Sequence, residues 1–170
     1  MFKHTTCLIK NNDSFLLLNR NKQPSMGVWN GVGGKIEENE TPEECVIRET
    51  YEETGIRLEN VTYVGNVILK SEYGSSGIYV FISEISDITQ LKTPVNVEEG
   101  ILDWKSIEWI LDENNQGIIS HLKSYLPLIL EGKYGLEHIF YYNGHSILDY
   151  KTIAISKNEI HKKYHKSSLK

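Results

Sequence analysis

The chain has 170 residues, enough for one domain to bury a sizeable apolar core without disulfides or a structural metal. Its composition, 39% hydrophobic and 24% charged, is ordinary for a globular protein and excludes collagen-like, low-complexity and wholly disordered chains. A net charge of -5 argues against general nucleic-acid binding, which leaves a basic footprint, so we expect no stable nucleic-acid partner.

The sequence predicts no membrane association. No apolar run approaches the roughly 20 residues of a membrane span, and the N-terminus lacks the apolar centre of a signal peptide. We therefore expect a cytoplasmic protein, either a monomer or a homodimer. Cys7 and Cys45 have no metal-ligand or redox spacing, and we expect both to be reduced and buried.

The N-terminal part predicts a hairpin followed by a glycine-rich loop. Apolar runs on either side of a polar turn at 11–13 indicate a hairpin over residues 5–20. The loop at 21–34 ends in Trp-Asn-Gly-Val-Gly-Gly, and Lys35 follows at once. Three glycines let the backbone turn sharply and approach a ligand closely.

A helix is predicted from Pro42 to Thr54. Thr41 is a suitable N-cap, proline is favoured at the first helical position, and Glu44 completes a capping box. Gly55 is typical of the residue that ends a helix.

The rest of the chain interleaves strands with a second helix. The β-branched and aromatic residues predict strands, helical spacing predicts a helix despite Pro127, and an Asn-Gly pair predicts a closing hairpin. The segments are strands at 61–69, 78–85 and 101–104, a helix over 118–130, and a hairpin over 139–150. We expect an α/β fold with a mixed sheet between helices over residues 1–156, followed by a polar basic tail at 157–170 that frays.

Three glutamates share one face of the first predicted helix. Glu49, Glu52 and Glu53 stand at i, i+3 and i+4, within about one turn. Like charges at this spacing repel, and Mg²⁺ is a hard ion that prefers such oxygen ligands. The cluster therefore predicts a metal site, and a solvated acidic face is the alternative interpretation. Arg48 can reach Glu44 or Glu52 one turn away and would orient a carboxylate.

The spacing around these glutamates resembles the Nudix box of the Nudix hydrolase family. The pattern begins with a glycine and, after five residues, a glutamate. Seven residues later comes Arg-Glu, then after two residues Glu-Glu, and after one more residue Gly-Ile. In this chain the matching positions are Gly34, Glu40, Arg48, Glu49, Glu52, Glu53, Gly55 and Ile56. Thr50 departs from the pattern, because the family normally has an aliphatic residue there.

The resemblance implies a Nudix fold and a metal-dependent pyrophosphohydrolase. It implies that Glu49, Glu52 and Glu53 bind Mg²⁺ or Mn²⁺, that Glu52, Glu53 and Arg48 are catalytic, and that the Gly33 carbonyl is a further ligand. The metal ions would bridge a diphosphate and activate water. Lys35 resembles the family's phosphate-contacting lysine, although a surface strand lysine is the alternative interpretation.

The chain looks closest to the mutator-type 8-oxo-dGTP diphosphatase branch. Asn30 resembles an asparagine that bonds a purine edge, unless it only caps the loop backbone. Glu99, or its neighbour Glu98, is similar to a further metal-binding or catalytic glutamate that precedes a strand. The 144–150 segment resembles the branch's closing hairpin.

The branch resemblance implies hydrolysis of an oxidised purine nucleoside triphosphate to the monophosphate and pyrophosphate. Residues 109–117 depart from the branch, so whether Asp112 or Glu113 supplies an acidic group for the oxidised base is left open. The alternatives are ADP-ribose, a dinucleoside polyphosphate or capped RNA as substrate, or a sensor domain that binds a nucleotide without turnover.

Overall fold

The computed structural model describes residues 2–88 and 91–156. Nine strands are formed: β1 His4–Asn11, β2 Ser14–Arg20, β3 Trp29–Asn30, β4 Thr62–Ser71, β5 Gly74–Glu84, β6 Val95–Val97, β7 Gly100–Ser106, β8 Leu136–Asn143 and β9 Ser146–Ala154. The helices are α1 Pro42–Thr54, α2 Ile107–Leu111 and α3 Ser120–Leu130. The predicted tail at 157–170 lies outside the described residues.

All nine strands belong to one mixed sheet. The order across it is β6-β7-β2-β1-β5-β4-β8-β9, and β3 pairs with β2 beside this path. The β1–β5 and β4–β8 pairs are parallel, whereas the other pairs are antiparallel. The prediction of a mixed sheet is confirmed.

Helices cover both faces of the sheet. On one face Val46 of α1 packs with Cys7, Ile9 and Leu16 in one apolar cluster. On the other, α3 packs into a second cluster with Leu8, Leu17 and Phe140 of the sheet. The alternation of side chains along each strand separates these two sets of residues. The expected sandwich of a sheet between helices is therefore confirmed.

Helix α1 begins and ends as its sequence predicts. The Thr41 hydroxyl accepts from the Glu44 N–H at 3.2 Å, and the Glu44 carboxylate accepts from the Thr41 N–H at 2.8 Å. Gly55 ends the helix with φ 74°, a left-handed conformation that glycine adopts without steric cost. These local bonds fix where the glutamate-bearing turns lie.

The hairpins are confirmed, and three short elements are not predicted, among them the two-residue β3 within the predicted loop. β1 and β2 are joined at Asn12, which has φ 49°, and β8 and β9 at Gly144, which has φ 58°. Strand β6 has three residues and helix α2 has five, too few for a periodic pattern. Cys7 and Cys45 are buried and free, as expected. None of the described helices is long and apolar enough to cross a membrane.

Candidate metal and nucleotide site

Glu53 is the buried member of the glutamate trio. Its side chain lies in the interior, with the residue 7% exposed, and its Oε2 accepts a hydrogen bond of 2.8 Å from the Gly33 N–H. Residue 33 has φ 144°, and a Cβ there would lie 2.4 Å from the Thr5 carbonyl oxygen. Only glycine fits this close approach to β1. The glycine loop therefore fixes the Glu53 carboxylate from outside its own helix.

The loop is itself fixed by β1. The Thr5 N–H donates to the Gly34 carbonyl at 2.9 Å, and the Cys7 N–H donates to the Val32 carbonyl at 2.7 Å. These bonds on either side of Gly33 hold its backbone beside α1. The orientation of Glu53 thus depends on the sheet as well as on the helix.

Arg48 binds three carboxylates at once. Its guanidinium donates to Glu40 at 2.7 and 2.9 Å, to Glu49 at 2.9 Å and to Glu52 at 3.0 Å. A further bond of 3.2 Å reaches the Lys35 carbonyl. Of the two partners predicted for Arg48, Glu52 is observed, whereas the Glu44 carboxylate is bonded to Thr41 in the capping box. Arg48 consequently joins both ends of the Nudix-like motif.

Gly34 makes room for a second carboxylate. A Cβ at this position would lie 2.3 Å from the Glu49 carboxylate. A larger residue here would displace the end of the Glu49 side chain, whereas Gly33 is required by its backbone conformation and by the Thr5 backbone.

Charge accumulates at Glu53. The pKa of this carboxyl is raised to about 7, mainly by burial and to a smaller extent by the negative charges of Glu49 and Glu99, while the Gly33 N–H and Arg20 act in the opposite direction. Because Glu49 and Glu99 act on Glu53 as like charges, a cation placed among the three would relieve this repulsion.

The donor set fits a divalent cation, although the carboxylates are not gathered as ligands. Within residues 2–88 and 91–156, no three acidic, histidine or cysteine side chains converge closely enough to hold a metal ion. Glu49 and Glu52 are bonded to Arg48 instead of facing Glu53. Carboxylate oxygens with excess negative charge are what Mg²⁺ or Mn²⁺ prefers. The ligand roles of these glutamates and of the Gly33 carbonyl stay predictions.

Glu99 is the better placed of the two candidate loop glutamates. Its charge acts on Glu53, and its carbonyl accepts from the Asn21 N–H at 2.9 Å. The Glu98 side chain is exposed, and its carbonyl accepts from Asn21 Nδ2 at 2.9 Å. The geometry favours Glu99, and its metal or catalytic role stays a prediction.

Asn30 and Lys35 lie on either side of the glycine loop. The Asn30 Oδ1 accepts from the Gly31 N–H at 2.8 Å, so the alternative of a backbone cap is realised. Lys35 pairs with His4 through an isolated β-bridge. The pKa of His4 is lowered first by burial of its imidazole and next by the positive charge of Lys35. The predicted contacts of both residues with substrate remain untested.

A cleft of about 960 Å³ opens on the face of the sheet that α3 covers. Its walls come from residues 23–28, the β4–β5 turn, the start of α3 and the β8–β9 turn. No aspartate or glutamate of the described chain lines this cleft, so neither Asp112 nor Glu113 reaches it. Val28 lines the cleft and Gly33 contacts Glu53. The five residue steps between them span at most about 18 Å, so the cleft lies close to the glutamate site.

Trp29 joins the glycine loop to this cleft. Its N–H donates to the Gly117 carbonyl at 2.8 Å, and its carbonyl accepts from the Ile119 N–H at 3.0 Å. The Lys105 Nζ lies 4.3 Å from the Trp29 ring centroid and 5.3 Å from that of Trp109. Such cation–π contacts hold the segment before α3 against β3.

Comparison with known proteins identifies the family. Residues 2–122, well over half of the chain, match the NUDIX domain. The chain belongs to the Nudix family. The match includes the glycine loop, α1 and the Glu99 segment.

Individual Nudix relatives agree with this assignment. The uncharacterized Nudix hydrolase YvcI of Bacillus subtilis is 31% identical over 105 residues, which are 61% of this chain and 65% of that protein. The oxidized purine nucleoside triphosphate hydrolase of Mus musculus is 27% identical over 147 residues, 86% of this chain and 91% of that protein. The chain spans less than two thirds of the length of several curated relatives that it matches.

A solved Nudix structure shows the same fold. The mutator MutT protein of Bacillus halodurans superposes with a TM-score of 0.73 and 25% identity, covering 89% of this chain and 97% of that one. The resemblance to Nudix hydrolases close to the MutT branch, and the expected Nudix fold, are confirmed.

Two residues show properties that the sequence pattern does not reveal. Thr50 of α1, which departs from the family pattern, is fully buried, so it keeps a core position. Arg20 is not singled out by any motif, yet its Nε is buried and has no hydrogen-bond partner in the described chain. Its charge lowers the pKa values of both Glu53 and His4. The one available signal is an arginine at the end of an apolar strand.

Proposed function

We propose that this Nudix protein is a Mg²⁺-dependent pyrophosphohydrolase that converts a nucleoside triphosphate to the monophosphate and pyrophosphate. Its substrate is an oxidised purine nucleotide such as 8-oxo-dGTP, so that it removes damaged precursors from the cytoplasmic nucleotide pool. The observation that carries the proposal is the buried Glu53 carboxylate, which the Gly33 N–H holds beside the charges of Glu49 and Glu99.

The metal ions would be held by carboxylates and one carbonyl. The proposed ligands are Glu49, Glu52, Glu53, Glu99 and the Gly33 carbonyl. When bound, Mg²⁺ or Mn²⁺ supplies charge neutralisation at the phosphate oxygens and a lowered pKa for the attacking water. Glu52 and Glu53 are also proposed as the groups that orient and deprotonate that water.

The remaining residues position the site and the phosphates. Arg48 holds Glu40, Glu49 and Glu52 in fixed directions through charge-assisted bonds of 2.7 to 3.0 Å. Lys35 and Arg20 supply positive charge near the glutamates, and we assign both to the substrate's phosphate groups. With these cations in place, a triphosphate approaches an otherwise acidic surface at a lower electrostatic cost.

The nucleoside is assigned to the cleft on the α3 face. Its volume of about 960 Å³ is ample for a nucleoside, and β3 connects it directly to the glycine loop. Asn30 lies on β3 outside the residues that line the cleft, and we assign it to the purine edge as the family resemblance implies. The Mus musculus relative, whose name specifies oxidized purine nucleoside triphosphates, matches 86% of this chain and supports this substrate class.

A turnover screen tests the proposal. The protein is incubated with MgCl₂ or with EDTA and with 8-oxo-dGTP, dGTP, ADP-ribose, diadenosine polyphosphates and capped RNA, and products are separated by ion-exchange chromatography. We expect metal-dependent release of pyrophosphate, fastest from the oxidised purine triphosphate. Faster cleavage of ADP-ribose, a dinucleotide or capped RNA would replace the substrate assignment. Nucleotide binding without any turnover would instead indicate a sensor.

A further inference from the structure

The floor of the cleft carries a chain of uncharged hydrogen-bonding groups. Tyr142 on β8 places its hydroxyl 3.1 Å from the Ser120 hydroxyl and 3.1 Å from Nδ1 of His121. All three residues line the cleft. Ser120 is exposed and Tyr142 is half-buried, whereas His121 lies beneath them and is 4% exposed. The two hydroxyls therefore face the cleft, and the imidazole beneath them is hydrogen-bonded to the Tyr142 hydroxyl.

His121 is a neutral, tightly packed hydrogen-bonding partner of Tyr142. Its ring stacks on Tyr125, with centroids 6.2 Å apart and planes 16° from parallel, and it also packs against Phe140 at 5.7 Å. Burial lowers the pKa of this imidazole to about 4. A neutral imidazole has one donor nitrogen and one acceptor nitrogen, so the Tyr142 hydroxyl has a fixed partner without a charge.

Two other polar residues near the start of α3 are already engaged in hydrogen bonds within the protein. The Lys123 ammonium donates to the Asp112 and Asn115 carbonyls. The Asn115 amide donates to the Trp109 carbonyl at 2.7 Å and accepts from the Gly117 N–H at 2.9 Å. These bonds hold the segment before α3 in place. Beside this held segment, the linked hydroxyls of Ser120 and Tyr142 line the floor of the cleft.

We propose that the hydroxyls of Tyr142 and Ser120 read the edge of the base, and that His121 is a positioning residue that fixes the Tyr142 hydroxyl. This inference rests on the proposed function, because it assigns the nucleoside to this cleft. It names specificity-determining residues of the base site and replaces the acidic group that the sequence leaves open at 112–113.

The chemistry of the hydroxyls determines the substrate class. A carboxylate only accepts hydrogen bonds, so it selects a base edge that donates. A hydroxyl rotates and either donates or accepts, so it serves a 6-keto purine and a 6-amino purine alike. The cleft therefore takes both kinds of purine. We expect kcat/KM values for 8-oxo-dGTP and 8-oxo-dATP to agree within about tenfold, since one neutral hydrogen bond contributes roughly 1 kcal/mol.

The test compares two neighbouring tyrosines on one strand. Tyr142→Phe removes the cleft hydroxyl and should raise KM for both purines about fivefold while kcat stays unchanged. Tyr141→Phe is the matched control, because Tyr141 lies on the opposite face near Lys70 and Lys151, and it should change neither constant. A wild-type KM in Tyr142→Phe for both purines would overturn the proposal, as would a preference above about a hundredfold between the two purines in the wild type.

The role of His121 has its own test. His121→Phe removes the Nδ1 partner and should raise KM as Tyr142→Phe does, with kcat retained. His121→Asn places an amide oxygen near the position of Nδ1 and should restore KM. Loss of kcat in both variants, with KM unchanged, contradicts a positioning role.

Binding measurements distinguish failure of the proposed function from failure of the base-reading proposal. If the wild type turns over neither triphosphate, the assignment as a purine triphosphate hydrolase fails, and the same variants are compared by calorimetric binding of 8-oxo-dGMP and 8-oxo-dAMP. Weaker binding by Tyr142→Phe than by Tyr141→Phe then supports the base-reading floor. Equal binding by the two variants, or no binding by the wild type, overturns it.

Discussion

The glutamate site is rich in charged side chains, whereas the floor of the cleft is built from neutral ones. Around α1, Glu40, Glu49 and Glu52 share a single Arg48, and Glu53 is buried near the charges of Glu49 and Glu99, so several pKa values are perturbed. Across the sheet, the floor built from Ser120, His121 and Tyr142 carries no charge. Phosphate chemistry requires concentrated charge that a cation can neutralise, whereas a base edge is read by neutral groups without the cost of burying an ion.

The largest expected effect is at the buried carboxylate. Glu53→Gln keeps the size of the side chain and removes its charge, so kcat with Mg²⁺ should fall by roughly a thousandfold or more while the fold persists. Glu43→Gln, an exposed position on the same helix, is the matched control and should retain wild-type kcat. Steady-state kinetics and circular dichroism measure both quantities. Wild-type turnover by Glu53→Gln would remove Glu53 from the catalytic site.

Arg48 should have the next largest effect. Arg48→Met releases Glu40, Glu49 and Glu52 from their shared partner, and loss of such an orienting contact typically costs about 10- to 100-fold in activity or metal affinity. Arg57→Met is the control, because Arg57 packs over the exposed Tyr51 ring, 4.8 Å from its centroid. Equal Mn²⁺ affinity and equal turnover in the two variants would contradict a positioning role for Arg48.

A single methyl group tests the contact between the loop and Glu49. Gly34→Ala places a Cβ 2.3 Å from the Glu49 carboxylate, which must move, so we expect about a tenfold loss of kcat/KM with little change in stability. Gly117→Ala meets its nearest atom at 3.4 Å, an ordinary contact, and serves as the control. Kinetics and thermal melting of both variants give the result. A loss of melting temperature without loss of activity would assign Gly34 to folding alone.

The buried neutral histidines predict how the free energy of unfolding depends on pH. Burial lowers the pKa values of His121 and His138 to about 4, whereas a histidine in the unfolded chain titrates near 6.5. The unfolded state therefore takes up these protons first, and stability that is full above pH 6.5 is lost as the pH falls. From pH 7 to 5.5 the loss should be about 1 kcal/mol for each histidine.

Urea unfolding at the two pH values measures this loss. Replacing His121 and His138 by asparagine should lessen the loss of unfolding free energy from pH 7 to 5.5, and His145→Asn, at an exposed position, should leave this loss unchanged. Comparing variants cancels the opposite contribution of Glu53, whose raised pKa favours proton uptake by the folded state. An undiminished difference in the double variant would show that the histidines are not buried in neutral form.

Local chemistry made much of this molecule predictable. The bounds of α1 follow from Thr41, Glu44 and Gly55, which act within one turn of either helix end, and the closing hairpin follows from its Asn-Gly pair. The position of the glutamates on one helix follows from their spacing alone. Each of these features depends on residues close together in sequence.

The features that could not be predicted depend on residues far apart. The bond between Glu53 and Gly33 joins positions 20 residues apart, and that between His121 and Tyr142 joins positions 21 apart. The partner of Arg48 at Glu40 lies outside its own helix, so helical spacing points only to Glu44 and Glu52. Burial of Glu53 likewise results from tertiary packing, and the sequence alone does not show that this glutamate is buried.

The most direct test of the charged site is a crystal structure with Mn²⁺ and a non-hydrolysable analogue of 8-oxo-dGTP, with anomalous data collected at the manganese edge. The account predicts an anomalous peak within coordination distance of the Glu53 carboxylate, shared with Glu49 or Glu52 and with phosphate oxygens. Bound nucleotide whose phosphates and manganese lie away from this helix would contradict it.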